Sequence, residues 1–194
     1  MIENAIVVAN IYTGGLYPTT CGWLCENFPE DSRIAFKKEV PMLMGRNSMI
    51  RDAAIPRYEE LKANGRNIEW LWFIDNDVTI THPGLERWME TPGDVVSCQG
   101  RMESGDIAWS TESAFHNHFW RCRPEVLYEI TPPWFELIVS KDGCDVYSCE
   151  CQFFAIRAQE AGFEVRYGGS CGHDAKGSWR RMHPGSVVEE EKIA

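Results

Sequence analysis

The stretch Trp70-Leu71-Trp72-Phe73-Ile74-Asp75-Asn76-Asp77-Val78-Thr79-Ile80 decides the fold. Its first five residues are apolar without a break, which reads as a strand buried on both faces, the central strand of an α/β sheet. Such a strand delivers the residues that follow it to the crevice where ligands bind. Two carboxylates arrive there and point to a metal ion or a phosphate. A surface turn, in which Asp and Asn favour the loop, is the plainer explanation of an isolated Asp-x-Asp. Side chains at i and i+2 of an extended chain stand roughly 6–7 Å apart at about 3.3 Å rise per residue, too wide for both to chelate one small ion. Either the chain tightens after Ile74, or Asp77 ligates directly while Asp75 holds a ribose hydroxyl or a metal-bound water. Hard oxygen ligands of this kind suit Mg2+ or Mn2+ bridging a diphosphate, rather than zinc.

Working outward, Ala5-Ile6-Val7-Val8-Ala9 reads as a first strand that opens into the glycine-containing loop Tyr12-Thr13-Gly14-Gly15. Residues 48–61 keep helical spacing through Ile50, Ala54, Tyr58 and Leu61, with Asn47 or Ser48 as cap, Gly65 as stop and Pro56 kinking or splitting the helix. Helix then strand is the order of a parallel sheet. Downstream, the pattern predicts a helix from Thr81-His82-Pro83 to Met89 and a strand at Asp94–Cys98. A strand within Phe115–Arg123 and a short helix near Pro124–Leu127 come next. After the rigid aromatic Pro132-Pro133-Trp134-Phe135, a helix runs from Glu150 to Ala161 and stops at Gly162. Phe163–Tyr167 then alternates as a strand ending in Gly168-Gly169-Ser170-Cys171-Gly172-His173-Asp174.

With 194 residues and 44% apolar content, the chain can bury one substantial core. The expectation is a single catalytic-size domain over 1–174, an α/β sandwich with a mixed, mainly parallel sheet, and a loose polar tail over 175–194. No run approaches the roughly 18–20 apolar residues of a membrane span, and Met1-Ile2-Glu3-Asn4 lacks a secretory pattern, so a cytoplasmic protein is expected. The net charge of -10 disfavours non-specific docking on nucleic acid. Without an export signal, the eight cysteines read as reduced thiols, most of them small buried apolar residues. Cys144, Cys149, Cys151 and Cys171 with His173 suggest a zinc cluster only weakly, because no Cys-x2-Cys knuckle occurs among them.

Taken in order, Gly45-Arg46-Asn47, Trp72-Phe73-Ile74-Asp75-Asn76-Asp77, Pro133-Trp134-Phe135, Glu150 through Phe154, Arg157, Ala161-Gly162-Phe163 and the late His173 resemble glycosyltransferases of the A-type fold. The resemblance covers most of residues 5–174 and is closest to compact members of the kind that bacteriophages and other microbes encode, which would place the protein in a host cytoplasm. It implies a Rossmann-like nucleotide-binding sheet and transfer of a sugar from a nucleoside-diphosphate sugar, a UDP-sugar foremost, to a hydroxyl acceptor. The acceptor is a saccharide, a protein, a small metabolite or a hydroxymethylated nucleobase in viral DNA. Asp77 and His173 then resemble the family's Mn2+ or Mg2+ ligands, with Asp75 at the ribose or a metal-bound water. Thr13, Arg46, Asn47, Asn76, Lys176 and Arg180 fall on the donor side, the last two in a terminal lid with Arg181 that closes over the diphosphate.

In an inverting transfer a carboxylate removes the acceptor proton, and Glu150 at a helix start is the candidate base. The family often has a Glu-Asp pair where this chain has Glu150-Cys151, which makes Asp145 the reserve. Trp134 and Phe135 look like an acceptor platform. Each residue also has a plainer role: helix cap for Asn47, surface cation for Arg46, dipole-stabilising carboxylate for Glu150, core packing for the two aromatics. Two other functions fit the same sheet. One is a sugar-phosphate nucleotidyltransferase, although no glycine-rich loop with an early Lys or Arg follows the first strand. The other is a degenerate module that binds a nucleotide without turnover.

Overall fold

The computed structural model describes residues 1–11, 15–37, 41–80, 82–101, 115, 117–142 and 146–173, with backbone alone at 42, 82, 83, 101, 146, 147 and 173. Thr13, Asp145, Lys176, Arg180 and the expected tail therefore lie outside the described residues. Among the described residues the strands are β1 (Ala5–Ile11), β2 (Arg33–Lys37), β3 (Trp70–Asp75), β4 (Val78–Thr79), β5 (Val95–Arg101), β6 (Phe119–Cys122), β7 (Ile138–Val139), β8 (Val146–Ser148) and β9 (Val165–His173). The helices are α1 (Pro18–Asn27), α2 (Met42–Met49), α3 (Ile55–Ala63), α4 (His82–Glu90), α5 (Pro124–Glu129) and α6 (Glu150–Glu160). Seven strands form one sheet in the order β2-β1-β3-β6-β5-β9-β4, and β7 with β8 makes a separate two-stranded ribbon. Strands β2, β1, β3, β5 and β9 run in one direction, while β6 and β4 run against them. This is the mixed, mainly parallel sheet flanked by helices that the sequence predicts.

The apolar run at 70–74 is buried on both faces, as its composition requires. Leu71 and Phe73 join the core beneath α2, α3 and α6, whereas Trp72 and Ile74 join the opposite core with Leu24 of α1, Phe28 just after it, and Leu85 and Trp88 of α4. Strand β1 divides in the same way, Ile6 and Val8 to one side and Ala5, Val7 and Ala9 to the other. Two cores on one sheet fix its register, because a one-residue slip would exchange them. The first core is largely aromatic: Phe73 stacks on Trp120 at 4.2 Å between centroids, and Phe135 stacks on Phe154 at 5.1 Å.

Pro56 splits the predicted helix as expected. The break takes the form of a wide π-helical turn over Ile50–Ala54 between α2 and α3. A proline has no N–H for the carbonyl four residues back and its ring needs room there, which the wider turn supplies. Helix α1 and strand β2 carry no strong periodic signal and come from tertiary context. Strand β9 also runs further than the alternation at 163–167 predicts, because its glycines belong to the strand.

Those glycines mark where other elements come close. Gly169 has φ 62°, and a Cβ there would stand 1.9 Å from the carbonyl oxygen of Gly84 in α4. A Cβ on Gly172 would stand 2.0 Å from the Thr79 hydroxyl of β4. Helix α4 and strand β4 can close on β9 only because these side chains are missing. We expect Gly169→Ala to lower stability in urea by roughly 3 kcal/mol, from overpacking and left-handed backbone strain together. Gly22→Ala, on exposed α1 with nothing within 4 Å of the added methyl, serves as the contrast and leaves stability equal or higher.

Candidate functional site

Parallel strands β1, β3, β5 and β9 end at Ile11, Asp75, Arg101 and His173, so these ends share one edge of the sheet, where α/β proteins bind ligands. Immediately after β3 the chain turns at Asn76 and Asp77, and β4 then pairs antiparallel with the end of β9. Val78 lies opposite His173 and Thr79 opposite Gly172. The Thr20 hydroxyl of α1 donates to the Val78 carbonyl at 2.8 Å and holds the crossing in place. The backbone therefore sets position 173 beside the residue that follows Asp77. The strand runs on through Asp75, which pairs with Asn10, and the chain turns only at Asn76 and Asp77.

Asp75 is 6% exposed and gripped from two sides. Asn10, its register partner on β1, donates from Nδ2 to Oδ1 at 3.2 Å, and Arg46 of α2 donates from Nη2 to Oδ2 at 2.9 Å. The surface-cation reading of Arg46 is corrected: its side chain is 6% exposed and pairs with Asp75 across the sheet edge. Asn76 and Asp77 are buried too, at 3% and 6% exposure. The buried Cys171 thiol is pushed up, first by burial, then by its interaction with Cys98 and by the charges of Asp77 and Asp75. Both carboxylates thus act electrostatically on one spot. Carboxylates at 75 and 77 beside the backbone position of His173 are the donor types that Mn2+ or Mg2+ would accept.

Asn47, expected on the donor side, and Trp134 and Phe135, expected on the acceptor side, are placed differently. Asn47 uses its whole amide on backbone: Oδ1 accepts from the N–H groups of Trp134 and Phe135 at 2.9 and 3.1 Å, and Nδ2 donates to Phe135 O at 2.8 Å and Leu43 O at 3.1 Å. It is neither helix cap nor exposed donor contact; it ties the 134–135 segment to α2. Trp134 and Phe135 are 4% and 1% exposed and lie in the core. The packing role describes them, and no ring face is left for a sugar. Arg157 of α6 braces the same segment by donating to the carbonyls of Thr131 and Pro133 at 2.6 and 2.8 Å.

Glu150 opens α6, half-buried, between two thiols. Cys149 is lowered to about 6 because the Cys151 thiol donates a hydrogen bond to it, and the Gln152 and Cys151 N–H groups assist against burial and the Glu150 charge. Cys151 is raised by that same bond and by burial, although the Arg46 charge and the Asn117 N–H oppose the rise. The Arg46 charge is therefore felt at the start of α6. Buried small-residue packing holds for Cys98, Cys122 and Cys171 but not for Cys149 and Cys151, which are half-buried, or Cys21 and Cys25, which are exposed. A Cys-x-Cys at a predicted helix start was the signal for this corner.

No family model and no curated protein matches the chain. Among solved structures it is similar to A197 from STIV, with 15% identity, 87% of this chain and 83% of that one covered, and a TM-score of 0.52. The chain shares the fold of A197. It is also similar, more loosely, to a protein of Desulfovibrio desulfuricans G20 that carries the provisional name of nucleotide-diphospho-sugar transferase. That match has 11% identity, covers 92% of this chain and 67% of that one, and has a TM-score of 0.38. No helix among the described residues is long and apolar enough to cross a membrane.

The Arg46–Asp75 pair makes a direct prediction. Removing Arg46 leaves a buried carboxylate uncompensated, so Arg46→Ala is expected to cost about 3–5 kcal/mol in urea denaturation. The double variant Arg46→Ala with Asp75→Asn should cost clearly less than the sum of the single changes. Additive costs would show that the pair is not coupled.

Proposed function

We propose that this protein transfers a sugar from a nucleoside-diphosphate sugar to a hydroxyl acceptor, with Asp77 and His173 holding Mn2+ or Mg2+. The observation that carries this reading is the pairing of Val78 with His173, which brings position 77 to position 173 at the ligand-binding edge of the sheet. Such an ion supplies positive charge to the leaving diphosphate. Asp75, fixed by Arg46 and Asn10, presents a rigid acceptor to a ribose hydroxyl. The neighbouring Arg46 charge favours an anionic donor. Lys176 and Arg180 add positive charge over the diphosphate from the terminal lid, and Thr13 meets the nucleotide from the first loop. Glu150 accepts the proton of the acceptor hydroxyl as the sugar carbon is attacked, which makes the transfer inverting; Asp145 is the reserve base. Saccharides and hydroxymethylated nucleobases are the acceptors to try first.

One observation favours a second reading, a module that binds the nucleotide without turnover: both Asp75 oxygens already accept hydrogen bonds from within the protein. A screen of nucleoside-diphosphate sugars with Mn2+, detecting released nucleoside diphosphate without acceptor, separates the two. The transferase reading predicts release that chelator abolishes and that falls by about 100-fold or more in Asp77→Ala, with an unchanged circular-dichroism spectrum. Binding by calorimetry without release from any donor or to any acceptor would support the second reading. Full turnover of Asp77→Ala in chelator would remove the metal from the account.

A further inference from the structure

We infer that Cys149, Glu150 and Cys151 form a second metal site, one for a thiophilic divalent cation such as Zn2+. Their two sulphurs and a carboxylate oxygen lie within 4.8 Å of one another. Ligands around a single zinc stand at about 2.3 Å for sulphur and 2.0–2.2 Å for oxygen, so two of them can be at most about 4.6 Å apart. The three atoms already occupy nearly that volume, and small rotamer adjustments bring them onto one ion.

The local backbone explains how three consecutive residues converge. Cys149 is the residue before α6, with extended backbone at φ -73° and ψ 162°, and Glu150 and Cys151 are its first helical residues. The change from extended to helical backbone folds the side chains of 149 and 151 toward the same side instead of spreading them along a strand. All three residues are half-buried, which leaves one side of the site open to solvent. Three protein ligands and an open fourth position are the pattern of zinc sites that take water or a substrate oxygen.

Charge and softness set this site apart from the carboxylate site. Two thiolates and a carboxylate carry three negative charges, and a dication leaves one, which the Arg46 guanidinium near Cys151 faces. Sulphur ligands select zinc-like ions, whereas the oxygen ligands at 75 and 77 select Mg2+ or Mn2+. As metal–sulphur bonds form, the thiol protons still present leave to solvent. The chain thus offers two candidate cation sites, sorted by ligand chemistry. Binding at the second needs neither donor nor acceptor, and because the ion would occupy the Glu150 carboxylate, it competes with the use of Glu150 as the base.

The test is titration of the full reduced chain, kept in a phosphine reductant, with Co2+ as a visible stand-in for Zn2+. One equivalent is expected to give a sulphur-to-cobalt charge-transfer band in the near ultraviolet and tetrahedral ligand-field bands in the visible, both removed by stoichiometric Zn2+. Cys149→Ser with Cys151→Ser should abolish the bands, while Cys21→Ser with Cys25→Ser should keep them. Glu150→Gln should weaken cobalt binding by about tenfold or more, a loss already typical of groups one shell further from a metal. The inference is overturned if the wild-type chain shows no charge-transfer band at one equivalent, if the bands survive the 149/151 double change, or if Glu150→Gln binds cobalt unchanged.

Discussion

The buried carboxylate of Asp75 is the constraint on which the rest of the site depends. An ionised group at the end of a strand packed on both faces costs several kcal/mol of lost hydration unless the protein answers its charge and its lone pairs. Arg46 answers the charge and Asn10 shares the hydrogen bonding, and each comes from a different element. Strand β1 must therefore lie in register with β3, and α2 must approach the sheet edge closely enough for a guanidinium to reach it. The wide turn ahead of Pro56 lets α2 and α3 pack on one core while the proline sits within the run. Fold and site are thus coupled through one ion pair.

A second constraint comes from the crossing of β4. The chain leaves β3, turns at Asn76 and Asp77 and pairs with β9, although β6, β5 and β9 stand between β3 and β4 in the sheet order, so the strand beside β3 must be short at this end. Strand β6 has four residues and begins opposite Ile74, which clears the way. Beyond it, the glycines of β9 give α4 and Thr79 the space that side chains would fill. Sequence features that look unrelated, an acidic turn and a glycine run nearly 100 residues later, become two sides of one pairing.

Much of this was legible before any coordinates. The run at 70–74 marked a doubly buried strand, Pro56 marked a break, and Gly162 marked the end of α6, each because a local rule and the tertiary environment agree. Three things were not legible. Helix α1 and strand β2 owe their form to neighbours rather than to periodicity. The run at 168–172 reads as the end of a strand because glycine has low strand preference, and only the approach of α4 and Thr79 reveals why glycine is there. Trp134 and Phe135 carry the chemistry of a sugar platform, but aromatic residues serve cores equally well, and nothing in a sequence distinguishes a buried face from an open one. Asn47 shows the same ambiguity for a polar side chain, since its amide satisfies backbone groups that no sequence pattern identifies.

The central claim is that positions 77 and 173 serve one divalent cation at the end of the sheet. Paramagnetic broadening by substoichiometric Mn2+ in the amide spectrum of the isotope-labelled protein tests it without substrate. The account predicts that the amides around Asn76–Val78 and those around Gly172 and His173 broaden together, at the same Mn2+ concentration, before those of the acidic surface. Broadening at one of these segments without the other, or first at exposed acidic residues elsewhere, would contradict it.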